Sequence, residues 1–234
     1  MCIHMLTDAD IKKTKYLMNL RETYFHEGMR NLDLTGVDLT NADLHSMQIV
    51  NVKFDNAILD NVNLYDTQLV NCSFNGASIR RAILRRSYIF DCKFLNTGLS
   101  QTDFSEASLY KVSADNCDMH LLKLMNGRAI DCTIKSCNML SANISGACLS
   151  GVTIEGCDMQ HVTAEKVLIT GSSFINCKMK HASLNGAVIY NVKFQDVNTE
   201  NMLLVETKMD LDPALFIKAR TVDLKDISNN NSDQ

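Results

Sequence analysis

The chain has 234 residues, of which 46% are hydrophobic and 21% charged, with a formal net charge of -4. This mild charge favours neither nucleic acid nor an acidic membrane surface as a partner. The sequence contains no apolar run of about 18 residues, so no membrane span is predicted. Nine cysteines without an export signal predict free thiols and a cytoplasmic location; delivery into a host cell by a non-classical route stays open.

The first predicted element is a helix over residues 8–27. Thr7 and Asp10 form a T-x-x-D start signal, and Gly28 follows the segment as a stop signal. We predict that this helix caps the first coil of the next domain, within an N-terminal arm of residues 1–31; a partner-binding helix is the alternative. Its apolar side consists of Ile11, Leu17, Met18, Tyr24 and Phe25.

Residues 32–210 carry an internal repeat of five residues. Of the 36 positions at every fifth residue from Leu34 to Met209, 32 are Leu, Ile, Phe or Met, and the residue two before is small in 32 of 36 repeats. A period of five fits neither a helix nor a long flat strand. It predicts a chain that points a small and a large side chain inward and then turns a corner. The exceptions are Ala114, Ala129, Ala164 and Thr199 in the large slot, and Leu32, Met47, Leu122 and Met202 in the small slot.

A second period of 20 residues sets the size of the coil. The large slot holds Phe54, Phe74 and Phe94 at this spacing, and Phe174 and Phe194 repeat it. Identical side chains stack when successive coils lie above one another. The period therefore predicts four repeats per coil and nine coils, which at about 4.8 Å per coil make a rod roughly 43 Å long.

The repeat resembles the A-[DN]-L-x-x motif of the pentapeptide-repeat family, most closely in the stretches TNADLHS, FNGASIRR and LNGAVIY. The resemblance covers residues 32–209 and implies a right-handed quadrilateral β-helix. The predicted fold is thus an all-β solenoid of about nine four-repeat coils, with an N-terminal capping helix and a short C-terminal helix.

The last predicted elements lie in residues 211–234. Asp212 and Pro213 begin a short helix, with proline at its first position. The following TVDLKDI is predicted as a last strand, and NNNSDQ as a disordered tail.

Most of the cysteines belong to the repeat. A free cysteine behaves as a small hydrophobe, and a ladder of parallel thiols does not converge on a tetrahedral metal ion. We therefore predict core thiols and no metal site. Cys148 lies outside the small slot and is predicted to point outward. The seven small-slot cysteines are Cys72, Cys92, Cys117, Cys132, Cys137, Cys157 and Cys177.

The register sorts the outward residues by face, and one face of the four is far more apolar than the others. Contiguous exposed apolar patches above roughly 400 Å² usually mark an interface. We predict that this face binds a protein partner or a second copy of the chain, and the alternative is that a terminal segment of the chain covers it. Its apolar residues are Val50, Val70, Tyr88, Phe90, Tyr110, Ile130, Cys148, Leu168, Val188 and Tyr190.

A basic cluster lies at two neighbouring corners and consists of Arg80, Arg81, Arg85 and Arg86. Stacking at period 20 predicts that Arg86 lies between Asp66 and Glu106, and that Arg80 lies beside Asp60. The other two arginines have no acidic stacking neighbour, so they are predicted either to bind an anion or acidic partner, or to be solvated surface.

No catalytic motif, phosphate-binding loop or cofactor-binding motif occurs in the sequence, so we predict a protein that is not an enzyme and needs no cofactor. His161 and His181 stack on one corner, but two histidines alone make a weak metal site. The predicted function is a protein-interaction scaffold, as in some bacterial effectors that carry such repeats. The alternative is DNA mimicry that inhibits or protects type II topoisomerases, which the family resemblance implies. Direct binding of nucleic acid is not expected.

Overall fold

The structure is a computed structural model that describes residues 28–210. Within this range the chain forms short parallel strands and no helix. The predicted capping helix, C-terminal helix, last strand and tail lie outside the described residues. The strands are β1 (Met29–Arg30), β2 (Gln48–Val50), β3 (Gln68–Val70), β4 (Tyr88–Phe90), β5 (Lys93–Leu95), β6 (Ser108–Tyr110), β7 (Ser113–Asp115), β8 (Arg128–Ile130), β9 (Thr133–Lys135), β10 (Cys148–Ser150), β11 (Thr153–Glu155), β12 (Leu168–Thr170), β13 (Ser173–Ile175), β14 (Val188–Tyr190), β15 (Lys193–Gln195) and β16 (Lys208–Met209).

Every strand pairs with a strand 20 residues away, as the second sequence period predicts. Ile49 pairs with Leu69, and on another side Asp38 forms a parallel bridge to Ile58. Four such ladders run along the rod: a 10-stranded sheet in the order β1-β2-β3-β4-β6-β8-β10-β12-β14-β16, a 6-stranded sheet, and two ladders of single bridges. The first and last of the ten strands are nine coils apart, which confirms the predicted all-β solenoid and its coil number.

The small and large slots both point inward and form one continuous core. Phe54, Phe74 and Phe174 are each 1% exposed. The phenylalanine rings stack between coils, with centroids 5.0 Å apart for Phe54 and Phe74 and 4.9 Å apart for Phe74 and Phe94. The stacking predicted from the 20-residue spacing is therefore confirmed.

The corners are made by a left-handed residue that follows the large slot by two positions. Among the described residues from Asn31 to Glu206, these corner residues have φ angles between 50° and 71°. Asparagine tolerates this conformation well. Asparagines at the same corner of adjacent coils also form side-chain hydrogen bonds with one another. The Asn51 side-chain amide donates to Asn31 Oδ1 at 3.0 Å, and that of Asn71 donates to Asn51 Oδ1 at 2.7 Å. The corner residues thus turn the chain, and their side-chain hydrogen bonds link adjacent coils.

Candidate functional site

The 10-stranded sheet presents the most apolar outer surface of the rod. In five successive coils the residue after the large slot is apolar, and strand register places these residues in one column. Neighbouring strands lie about 4.8 Å apart, so the side chains touch from coil to coil. The column consists of Val50, Val70, Phe90, Tyr110 and Ile130.

Beyond β8 the apolar surface changes column. The residue after the large slot becomes Ser150 and then Thr170, while the residue before it becomes apolar. Cys148 pairs in register with Leu168, and Leu168 with Val188. The ten residues predicted from sequence therefore lie on one face and run diagonally across it. We call this set, from Val50 to Tyr190, the apolar stripe.

An aromatic cluster lies toward the first half of the stripe. The rings of Tyr88 and Phe90 have centroids 6.4 Å apart, and Tyr88 is 5.5 Å from Tyr110. Lys111 lies over the Phe90 ring with its Nζ 5.9 Å from the centroid, at the distance of a cation–π contact. Tyr88 is 41% exposed. Large, partly exposed aromatic side chains are the residues that dominate binding energy at protein interfaces.

Exposed large apolar side chains on the other faces occur singly, except for the neighbouring pair Leu121 and Leu140. Ile58, 43% exposed, lies between Asp38 and Ser78 in its ladder, and Ile83, 42% exposed, lies between Asn63 and Asp103. Single exposed hydrophobic residues are normal on a protein surface. Among the described residues, the apolar stripe is therefore distinguished by its continuity.

The backbone beneath the stripe is already fully engaged. The Asn51 N–H donates to the Val70 carbonyl at 2.9 Å, and the Asn71 N–H donates to the Phe90 carbonyl at 2.9 Å. A peptide cannot add a strand to the middle of such a sheet, because strand addition needs a free edge. Strand addition is therefore not available at the stripe.

The arginine cluster is arranged differently from the prediction. Arg85, which the stacking pattern leaves without an acidic neighbour, donates to Glu106 at 2.8 Å. Arg86, predicted between Asp66 and Glu106, donates instead to the Tyr65 hydroxyl at 3.1 Å and lies 5.9 Å from that ring's centroid. These partners differ from the prediction because the long arginine side chains extend diagonally to the next coil rather than straight along the ladder.

The remaining two arginines, at an exposed corner, also contact residues of a neighbouring coil. Arg81 donates from Nε to the Asn61 side chain at 3.0 Å. Arg80 meets its predicted neighbour Asp60 through the backbone, whose N–H donates to Oδ1 at 3.0 Å. The four residues lie at two neighbouring corners, and three of the four guanidinium groups bond to a side chain of a neighbouring coil.

The cysteines follow the prediction for the core. The seven small-slot cysteines are buried with free thiols, and Cys148 is partly exposed on the stripe. Burial raises the pKa of the Cys132 and Cys177 thiols. Hydrogen bonding by the Cys137 side chain lowers the pKa of Cys117 to about 7, but Cys117 is only 2% exposed, so reagents do not reach it.

We therefore expect a thiol reagent such as DTNB, added to the native protein at neutral pH, to modify Cys148 quickly and the seven core cysteines slowly. Reactivity needs both a thiolate and access, and the core thiols lack access. The measurement is made in a Cys2→Ser background, so that only the eight described cysteines contribute. The added Cys148→Ser substitution then removes the fast phase and serves as the control. A native protein that shows seven or more fast thiols would contradict the core assignment.

The two histidines that share a corner column stack on each other. The rings of His161 and His181 have centroids 5.0 Å apart and are nearly parallel, at 11°. Across residues 28–210, no group of three or more His, Cys, Asp or Glu side chains is placed to hold a metal ion. The same range contains no helix that is long and apolar enough to cross a membrane.

Comparison with protein families identifies the repeat. The family model described as pentapeptide repeats matches residues 48–86, with eight copies. Among curated protein sequences, none is similar enough to this chain to count as a relative.

Two solved structures are similar to this chain at low sequence identity. HetL, a pentapeptide repeat protein involved in heterocyst differentiation regulation in the cyanobacterium Nostoc, is 18% identical, with 75% of this chain and 86% of HetL covered and a TM-score of 0.40. A trypsin-treated variant of QnrB1, a plasmid-mediated fluoroquinolone resistance protein, is 16% identical, with 87% of this chain and 97% of QnrB1 covered and a TM-score of 0.40.

Proposed function

We propose, from the premise that this chain belongs to the pentapeptide-repeat family, that it is a non-enzymatic scaffold whose rod binds another protein through the apolar stripe. The observation that carries the proposal is the continuity of the stripe. Apolar side chains follow one another over eight consecutive strands of one face, from β2 to β14, whereas the exposed large apolar side chains on the other faces are single residues or, for Leu121 and Leu140, one pair. Contiguous apolar surfaces of this kind mark interaction sites.

The size of the stripe favours a foreign protein over a second copy. Eight strands at about 4.8 Å give a length of roughly 34 Å, and a width of about 10 Å gives an area of roughly 340 Å². This area is below the roughly 400 Å² that usually marks an interface and lies in the lower part of the range of about 300–600 Å² for the largest apolar patch of a monomer, which is often functional. Two stripes packed together would bury roughly 700 Å², whereas stable interfaces bury about 1,200 Å² or more. A partner that extends onto the polar margins of the face fits better.

The shape of the stripe favours an amphipathic helix on the partner. The stripe is long and narrow, and its backbone offers no free hydrogen-bonding edge. A helix of about 20 residues is roughly 30 Å long and presents an apolar strip to a groove or face. Binding without catalysis also suits the rod, because active sites are usually concave. The same binding role would serve an effector delivered into a host cell.

The test uses two matched isoleucine variants. Ile130 lies in the stripe, and Ile83 is an exposed isoleucine on another face. We expect Ile130→Asp to abolish capture of the native partner, because a carboxylate would be buried in an apolar contact, and Ile83→Asp to preserve it. Light scattering should show one mass for the wild type and both variants.

Two results would overturn this proposal. Equal partner capture by Ile130→Asp and Ile83→Asp would remove the stripe as the binding surface. A wild type that is dimeric, with Ile130→Asp a folded monomer, would make the stripe a self-interface instead.

The second candidate function is inhibition or protection of a type II topoisomerase by DNA mimicry. A duplex of about 43 Å carries about 25 negative charges, whereas the whole chain has a net charge of -4, which disfavours mimicry. A supercoiling assay with purified gyrase and a fluoroquinolone separates the two candidates. Inhibition of gyrase, or protection of gyrase from the drug, at micromolar protein would favour the topoisomerase function. If neither effect is observed, this candidate function is rejected.

A further inference from the structure

One coil in the middle of the rod departs from the repeat in three of its inward positions. Its large slots hold Ala114 and Ala129, whereas one of its small slots holds the large Leu122. Ala114 lies between Phe94 and Ile134 in its ladder. Two large side chains are thus replaced by methyl groups at adjacent sides of the coil, and the added bulk of Leu122, which lines the same space, fills only part of the lost volume.

The missing volume leaves a cavity of about 60 Å³ inside the rod. Leu109 and Ile134 occupy large slots in the coils on either side, yet both are only partly buried, unlike almost every other large-slot residue away from the end of the rod. Their exposed surface faces this cavity, because their side chains point inward. Other lining residues are Phe104, Met119, Leu124, Met139, Leu149 and Ile154.

The lining offers nothing to a water molecule. All its side chains are apolar except the Cys132 thiol, and that thiol lies within hydrogen-bonding distance of the Leu109 and Ile130 carbonyls, at 3.6 Å and 3.4 Å. A buried water needs two to four polar partners, whereas apolar cavities stay dry and accept apolar guests. The cavity is therefore dry unless an apolar molecule fills it.

We propose that this cavity, between Ala114 and Ala129, is a binding site for a small nonpolar gas molecule, of the size of xenon or dioxygen. An engineered apolar cavity of about 150 Å³ binds benzene or xenon. At 60 Å³ the cavity in this rod is too small for a benzene ring but large enough for one heavy atom or a diatomic molecule. The site does not depend on the apolar stripe, which lies outside the rod.

Xenon is the probe for this site, applied to the full chain under pressure and followed by ¹²⁹Xe and methyl NMR. We expect a saturable change in the xenon shift, with methyl shifts confined to Leu109, Ala114, Ala129 and Ile134. Ala129→Leu fills the cavity and should remove the saturable change, leaving xenon binding weaker by about tenfold or more. Ala164→Leu places the same substitution in a large slot that does not line the cavity, and should retain it.

Two results would overturn the proposal. The first is a xenon shift that rises linearly with pressure and is the same in the wild type and in Ala129→Leu. The second is a set of methyl shifts on outer residues such as Val70 and Leu168 rather than on the cavity lining. The second readout uses the wild type alone, so it decides the matter even if a variant fails to fold.

Discussion

Replacing Phe74 with alanine is expected to lower the free energy of unfolding by about 3–5 kcal/mol, the usual cost of removing a buried aromatic side chain. Phe74 is 1% exposed and is the middle ring of a stack, 5.0 Å from Phe54 and 4.9 Å from Phe94. Its loss creates a cavity and leaves both neighbouring rings without a partner. Urea or guanidinium denaturation followed by circular dichroism measures the change.

The matched control is Tyr88→Ala. Tyr88 is an aromatic residue of a nearby coil, but it is 41% exposed and points outward. We expect its replacement to change the free energy of unfolding by less than about 1 kcal/mol, as for most surface substitutions. If Phe74→Ala cost no more than Tyr88→Ala, the inward register of the large slot would be wrong.

Replacing Ala129 with leucine is expected to stabilise the protein by about 1 kcal/mol, although enlarging a core residue usually destabilises. Removing cavity volume gains about 24 cal/mol per Å³, so the 60 Å³ of this cavity corresponds to about 1.4 kcal/mol. Leu109 and Leu149, the ladder neighbours of Ala129, show that leucine suits this slot. The same denaturation experiment measures the gain.

The same substitution at Ala164 is expected to have the opposite sign. Ala164 is a buried large-slot residue, but it does not line the cavity. Methylene groups added to a buried position that does not border this cavity are expected to cost about 1–3 kcal/mol. If both variants destabilised equally, the central coil would be packed as tightly as the rest of the rod.

Most of the fold can be predicted from the sequence because the residues of each repeat specify its local conformation. The inward positions alternate small and large, and the corner residue is compatible with a left-handed conformation, so local geometry repeats without long-range information. The 20-residue spacing of Phe54, Phe74 and Phe94 then sets the number of sides. The structure confirms the ladders, the buried cysteines and the stacking of aromatic rings.

The candidate site can be predicted only in part. The period assigns the ten stripe residues to one face, because strand register follows directly from it. The diagonal course of the stripe, which changes column between Ile130 and Cys148, becomes apparent only when the strands are placed side by side. The predicted partners of Arg86 are wrong, and Arg85, for which no acidic partner is predicted, has one, because a flexible guanidinium can extend past its stacking neighbour to Tyr65 or Glu106.

The sequence by itself determined the coil, its four sides and the direction of every repeat side chain, because these follow from a local period that does not change along the rod. Only the tertiary structure decided where side chains from different coils meet. Ala114 and Ala129 are 15 residues apart in sequence and read as two separate exceptions, yet both line one cavity. Core packing depends on the total side-chain volume that neighbouring coils contribute. A period within the sequence does not specify that total volume.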